Sequence, residues 1–151
     1  MIWYCDSSAL VKRYVREVGS SWFRQQQSQH QILTSALALT EIAAALARRR
    51  RDGAISTFEF HRSRAQFTRH LQAGQYILLP ATLDMIDRAT LLTYRLPLAA
   101  YDAVHLATAQ DYLKAGSVDA DQFCFVTADD QLQRAAHAEG LKTVNPNDYP
   151  S

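Results

Sequence analysis

Short apolar runs of strand-forming residues alternate with helical stretches along the whole chain, and this order constrains the fold more than any other feature. Ile2 to Cys5, Gln31 to Thr34, Tyr76 to Leu79, Phe123 to Val126 and Leu141 to Val144 read as strands. Between them, helices are predicted from Ser7 or Ser8 to Tyr14, Ser20 to Gln27, Ser35 to Arg51, Ser56 to Leu71, Thr82 to Tyr94, Tyr101 to Lys114 and Asp129 to Glu139. The Ala- and Leu-rich stretch from Ser35 to Arg51 is made of the best helix formers and stops at Asp52-Gly53, where glycine is a natural terminator. Strand and helix in turn imply an α/β fold, with a central, mainly parallel sheet of four to five strands between helices. No internal repeat interrupts the pattern, so residues 1–146 are expected to form one domain, with 147–151 a short C-terminal tail.

Composition narrows the class. The chain is 48% hydrophobic and 21% charged over 151 residues, enough to bury a core without help from disulfides. Cys5 and Cys124 lie inside apolar runs, which predicts buried, reduced thiols, and no thiolate or imidazole spacing suited to zinc is present. Any metal should therefore bind oxygen. Met1 to Ser8 lacks the basic start and apolar length of a signal peptide, and Ser35 to Ala47 is too short to span a bilayer. A cytoplasmic protein with no membrane association is expected.

Charge is distributed unevenly. Seven arginines between Leu46 and Gln72 (Arg48, Arg49, Arg50, Arg51, Arg62, Arg64 and Arg69) face only Asp52 and Glu59, a local excess of +5 in a chain of net +1. A basic flank of this kind suits contact with a phosphate backbone, with Arg48, Arg49, Arg50, Arg51 and Arg62 as candidates. A solvated helix end favoured by the helix dipole accounts equally for the run.

In an open parallel sheet the ligand crevice lies beyond the carboxyl ends of the strands. Asp6 follows the first strand directly, and Asp129 follows the fourth after Thr127 and Ala128. Taken alone, each is as well explained as a helix-capping carboxylate. Glu41 is the only charged residue between Ser35 and Ala47, with Leu37, Ala38, Ala44 and Ala45 as its helical neighbours, which suggests a carboxylate facing a cleft; the alternative is a lone surface glutamate. Asp102 starts a helix among apolar residues, where dipole stabilisation is the simpler account, and His105 three residues on reads as structural. Four carboxylates converging at one end of a sheet would repel one another unless a cation compensated. Mg2+ or Mn2+ fits oxygen donors, and such an ion activates water and stabilises charge on a phosphoryl group.

The segments YCDSSALVKRY, TSALALTEIAAALARR, YDAVHLATA and FVTADDQLQRAA with GLKTVNP closely resemble, in order and across nearly the whole chain, the successive motifs of VapC-type PIN-domain toxins. The resemblance implies a PIN-like α/β/α sandwich and Mg2+- or Mn2+-dependent cleavage of RNA. It implies Asp6, Glu41 and Asp102 as the main acidic and metal-binding residues, with Asp129 the fourth. Thr127 would orient a water at the ion. Asp130 could exchange roles with Asp129, and Ser7 would be either a supporting donor or a helix cap. It further implies a homodimer restrained by a VapB-like antitoxin, whose segment would lie beside the site on the helices holding Trp22 and Phe58, with a guanidinium or ammonium group reaching the acids.

Three other readings compete. An aspartyl-phosphate phosphatase needs a second acid two residues after Asp6, where Ser8 stands. A housekeeping RNA-processing nuclease would share the same chemistry. A catalytically silent module that binds RNA or a protein has no evident need for this much clustered negative charge.

Overall fold

The computed structural model describes residues 1–116 and 118–150. Five parallel strands form one sheet in the order β3-β2-β1-β4-β5, where β1 is Ile2–Cys5, β2 Gln31–Ser35, β3 Tyr76–Leu79, β4 Phe123–Val126 and β5 Thr143–Val144. Seven α-helices cover the sheet: α1 Ser7–Leu10, α2 Ser20–Gln27, α3 Ala38–Arg51, α4 Thr57–Gln72, α5 Leu83–Thr93, α6 Ala100–Lys114 and α7 Asp130–Ala138. The expected α/β sandwich is therefore the one observed.

Because β1 is central, its side chains alternate into two separate cores. Trp3 and Cys5 point to a layer built from α1 to α4 with Leu10, Phe23, Ile42 and Phe67. Tyr4 points the other way, to Leu106, Phe125 and Leu132 under α5, α6 and α7. Both cysteines are buried and free, as their apolar surroundings predict. Among the described residues no helix is long and apolar enough to cross a membrane.

Several boundaries differ from expectation, each for a local reason. Neither Ser7 nor Ser8 caps the first helix: Asp6 does, accepting the Ala9 N–H at 3.0 Å. That helix gives way to a 3-10 turn at Val11–Arg13 instead of running on to Tyr14. Ser35 is the last residue of β2, paired with Leu79, and its Oγ accepts from Leu37 N–H in a turn, so α3 begins at Ala38. The last strand is only Thr143–Val144. Of the tail expected at 147–151, Ser151 lies outside the described residues, while Tyr149 stacks on Trp22 with ring centroids 4.3 Å apart.

Strand order reverses between β1 and β4, since β2 lies on one side of β1 and β4 on the other. Chain connections leave that point in opposite directions and open a crevice at the carboxyl ends of the two strands. Asp6 and Thr127 are the residues that follow β1 and β4 there.

Candidate active site

Asp6 is 2% exposed and heavily restrained. Parallel pairing of Cys5 with Val126 brings Thr127 alongside it, and Thr127 Oγ1 donates to Asp6 Oδ2 at 2.8 Å. Ser8 Oγ lies 2.8 Å from both carboxylate oxygens and accepts from the Ala128 N–H at 2.9 Å. Thr127 Oγ1 in turn accepts from Asp129 N–H at 3.1 Å. One carboxylate thus ties the start of α1 to the loop between β4 and α7. Burial nevertheless pushes its pKa above the usual carboxylate range, with the charge on His105 and the hydrogen bonds to Thr127, Ser8 and Ala9 only partly offsetting the shift.

Glu41 comes from the first turn of α3 and is held by two partners. Ser7 Oγ donates to its Oε2 at 3.1 Å, and His105 Nε2 lies 2.6 Å from its Oε1. Ser7 is therefore a supporting donor and not a helix cap. His105 is fully buried on α6, and its Nδ1 lies 2.9 Å from the Tyr4 hydroxyl. The hydroxyl, imidazole and carboxylate form a chain from the core to the crevice. Burial lowers the pKa of His105, but the bond to Glu41 and the charges of Glu41, Asp6 and Asp102 outweigh it, leaving the pKa raised.

Asp102 stands in the first turn of α6, and its carboxyl is pushed up to about 6. Burial contributes most, followed by the charges of Asp129 and Asp6; His105 opposes the shift and Glu41 adds to it. The other three carboxylates singled out from the sequence thus all act on Asp102. Asp130 is exposed and accepts from Asn145 Nδ2 at 2.9 Å, whereas Asp129 caps α7 through Leu132 N–H at 2.8 Å and contributes to the shift at Asp102. Of the two, Asp129 is the one whose charge acts on Asp102.

A cleft of about 560 Å3 opens on the Glu41 side, lined by Ser7, Ser8, Glu41 and Ala128, with Arg48 and Arg51 on its wall. Arg49 lines the same cleft, paired there with Glu17 at 2.9 Å, whereas Arg50 lies over the Phe60 ring at 4.1 Å and Arg62 lines a separate cleft.

All the acidic donors are oxygens, and Asp102, raised chiefly by burial, also feels the charges of Asp129, Asp6 and Glu41, which a divalent cation would offset. Among the described residues, no three His, Cys, Asp or Glu side chains are already drawn together around one ion position. One or two direct carboxylates, with the others acting through water, is the arrangement such a set allows.

Sequence reasoning did not assign Tyr4, Ser8 or His105 to this network. The available signals were weak: a serine two residues after Asp6, and a histidine within the apolar run Ala103 to Ala109. A polar side chain in so apolar a helix segment needs a buried partner.

Comparison with known proteins agrees with this architecture. A family model described as the PIN domain matches residues 3–138. Ribonuclease VapC46 of Mycobacterium tuberculosis is 32% identical over 151 residues, covering 95% of this chain and 97% of its own. Among solved structures, PAE2754 from Pyrobaculum aerophilum is 19% identical with a TM-score of 0.61, covering 95% of this chain and 91% of the other. A toxin-antitoxin complex from Klebsiella pneumoniae contains a chain 15% identical with a TM-score of 0.60, covering 97% of this chain and 98% of its own.

Proposed function

Because this chain belongs to the PIN domain family, we propose that it is a divalent-metal-dependent endoribonuclease serving as the toxin half of a VapBC-like toxin–antitoxin pair. The observation that supports the reading is Asp6 at the topological switch point together with the carboxyl of Asp102 at about 6, raised first by burial and then by the charges of Asp129, Asp6 and Glu41. An oxygen-only set of this kind fits Mg2+ or Mn2+, which when bound activates water and offsets charge developing on a phosphodiester.

The protein's own contribution is placement. Ser8 and Thr127 fix the carboxylate plane of Asp6, and Ser7 with His105 fixes that of Glu41. Restraint of this sort keeps metal-binding carboxylates oriented before the ion arrives. Asp102 and Asp129 stand at the starts of two other helices, from which they would join Asp6 and Glu41 around an ion. Arg48 and Arg51 on the cleft wall contact the phosphates of the RNA strand, while Arg49 and Arg50 are engaged within the protein.

Inhibition follows from the same charges. An antitoxin segment that brings a guanidinium or ammonium group to the cluster pairs with the acids and competes with the metal. The toxin is expected to act as a homodimer, each copy receiving one such segment.

Expression of this chain alone should arrest the growth of a bacterial host, and co-expression of its cognate VapB-like antitoxin should restore it. Normal growth with abundant folded wild-type protein would contradict the toxin role and leave an RNA-processing nuclease as the better reading.

A further inference from the structure

A second cleft, of about 600 Å3, lies between the segment after α1 and helices α2 and α4. Arg13, Arg16, Arg24 and Arg62 line it, and Glu59 is the only carboxylate in its wall. None of the four arginines forms an ion pair among the described residues. Guanidiniums on a solvated surface usually disperse or find acids; those of Arg16, Arg24 and Arg62, gathered at one cavity, repel one another. The repulsion is felt at Arg24, whose pKa is lowered by burial and by the charges of Arg16 and Arg62.

Two of the four arginines are fixed in place. Arg24 donates from Nε to the Arg13 carbonyl at 3.1 Å and from its terminal nitrogen to the Val15 carbonyl at 2.9 Å. Ser63 Oγ donates to the Tyr14 carbonyl at 2.9 Å. Three successive carbonyls, which would otherwise lend the cavity negative character, are thereby occupied. Arg13 is fixed by the Tyr76 hydroxyl at 2.8 Å and by Gln75 Oε1 at 2.6 Å. Arg16 and Arg62 make no side-chain hydrogen bond among the described residues, and both are exposed.

We propose that this arginine cleft binds a backbone phosphate of the single-stranded RNA substrate, away from the bond that is cut, a role that rests on the ribonuclease reading of the acidic site. Consecutive residues line the two clefts, Lys12 the one beside Glu41 and Arg13 the arginine cleft, with the Glu17 to Arg49 ion pair in the wall of the first. Asp6 and Arg13 are separated by α1 and one 3-10 turn, about 12 Å of chain, so that a strand leaving the acids reaches the arginines beyond the nucleotide at the cut. The lining favours phosphate over an acidic peptide, because Val15 and Ile55 supply little of the apolar surface that a peptide segment needs. Guanidinium forks match phosphate oxygens directly.

The test uses RNA binding by metal-free Asp6→Asn protein, so that no cleavage enters the readout. Adding Arg16→Gln and Arg62→Gln should weaken binding of a long single strand and make the slope of log affinity against log salt shallower by about 1.4, from about 0.7 per lost contact. Arg16→Lys with Arg62→Lys should keep most of that slope, and Arg88→Gln on α5 should leave it unchanged. An unchanged slope in a glutamine variant that unfolds at the parental temperature would overturn the proposal. So would an equal loss of affinity for polyglutamate, which would mark the cleft as a site for acidic chains. Absence of cleavage by the wild-type protein would count against the active-site reading alone, since this measurement is made without it.

Discussion

Asp6→Asn should lose RNA cleavage by more than about 100-fold, since even partners that only orient metal ligands cost 10- to 100-fold when removed. Its fold should survive. Asparagine keeps one oxygen to accept the Ala9 N–H, and the Ser8 and Thr127 hydroxyls can turn to accept from the new amide. Stability at neutral pH should equal or exceed that of the metal-free wild type, because a buried carboxylate with a raised pKa has been removed. The pH dependence gives the same prediction a second readout. Folded Asp102 holds its proton up to about pH 6, whereas in the unfolded chain it lets go near the ordinary carboxylate value of 3.8. The folded state thus binds more protons between those values, and metal-free wild-type stability falls as pH rises through that window. For Asp102 the loss is on the order of 2 kcal/mol after discounting for solvent. Raised His105 acts in the same direction, its stabilising charge being lost as pH rises through its folded pKa. Asp6→Asn should flatten this decline by relieving Asp102. Thermal unfolding of both proteins across pH, with and without divalent metal, checks the account; a steeper decline in the variant would contradict it.

His105→Leu should produce the largest loss of stability among single substitutions at the site, about 3 kcal/mol, because it leaves the Tyr4 hydroxyl and Glu41 Oε1 without their imidazole partner. At 2–4 °C per kcal/mol for a chain of this size, the melting temperature should fall by roughly 6 to 12 °C. Cleavage should fall with it, since Glu41 retains only Ser7 to hold its orientation. Tyr4→Phe added to His105→Leu should recover part of the stability but none of the activity, because it removes the orphaned hydroxyl without restoring Glu41. A loss below about 1 kcal/mol would mean that the buried relay contributes little beyond packing.

The strands and most helices were legible in the sequence because each carries a local signature. Tyr76 to Leu79 is an apolar run ended by Pro80, and Ser56 and Thr82 cap α4 and α5 as their positions suggest. Boundaries governed by pairing partners were not legible: Ser35 joins β2 because Leu79 lies beside it, although its residue type suits a helix start equally well. The same division holds at the site. Isolation of Glu41 among alanines was visible locally, while its partner His105 lies 64 residues away and the Tyr4 to His105 bond spans 101. Such pairs exist only once the strand order is known. Arg48 and Arg62 belong to one basic run in sequence, yet α3 and α4 carry them to different clefts. Asp129 and Asp130 are adjacent in sequence, yet one accepts from the α7 N-terminus and the other from Asn145, a difference that only the fold reveals.

Incubation of the purified protein with single-stranded RNA, with Mg2+ or Mn2+ and then with excess chelator, tests most directly whether the four carboxylates form a metal-dependent ribonuclease centre. Cleavage that requires the metal, stops on chelation and returns when the metal is restored is the predicted result. Undiminished cleavage in chelator, or intact RNA with saturating metal and folded protein, would contradict it.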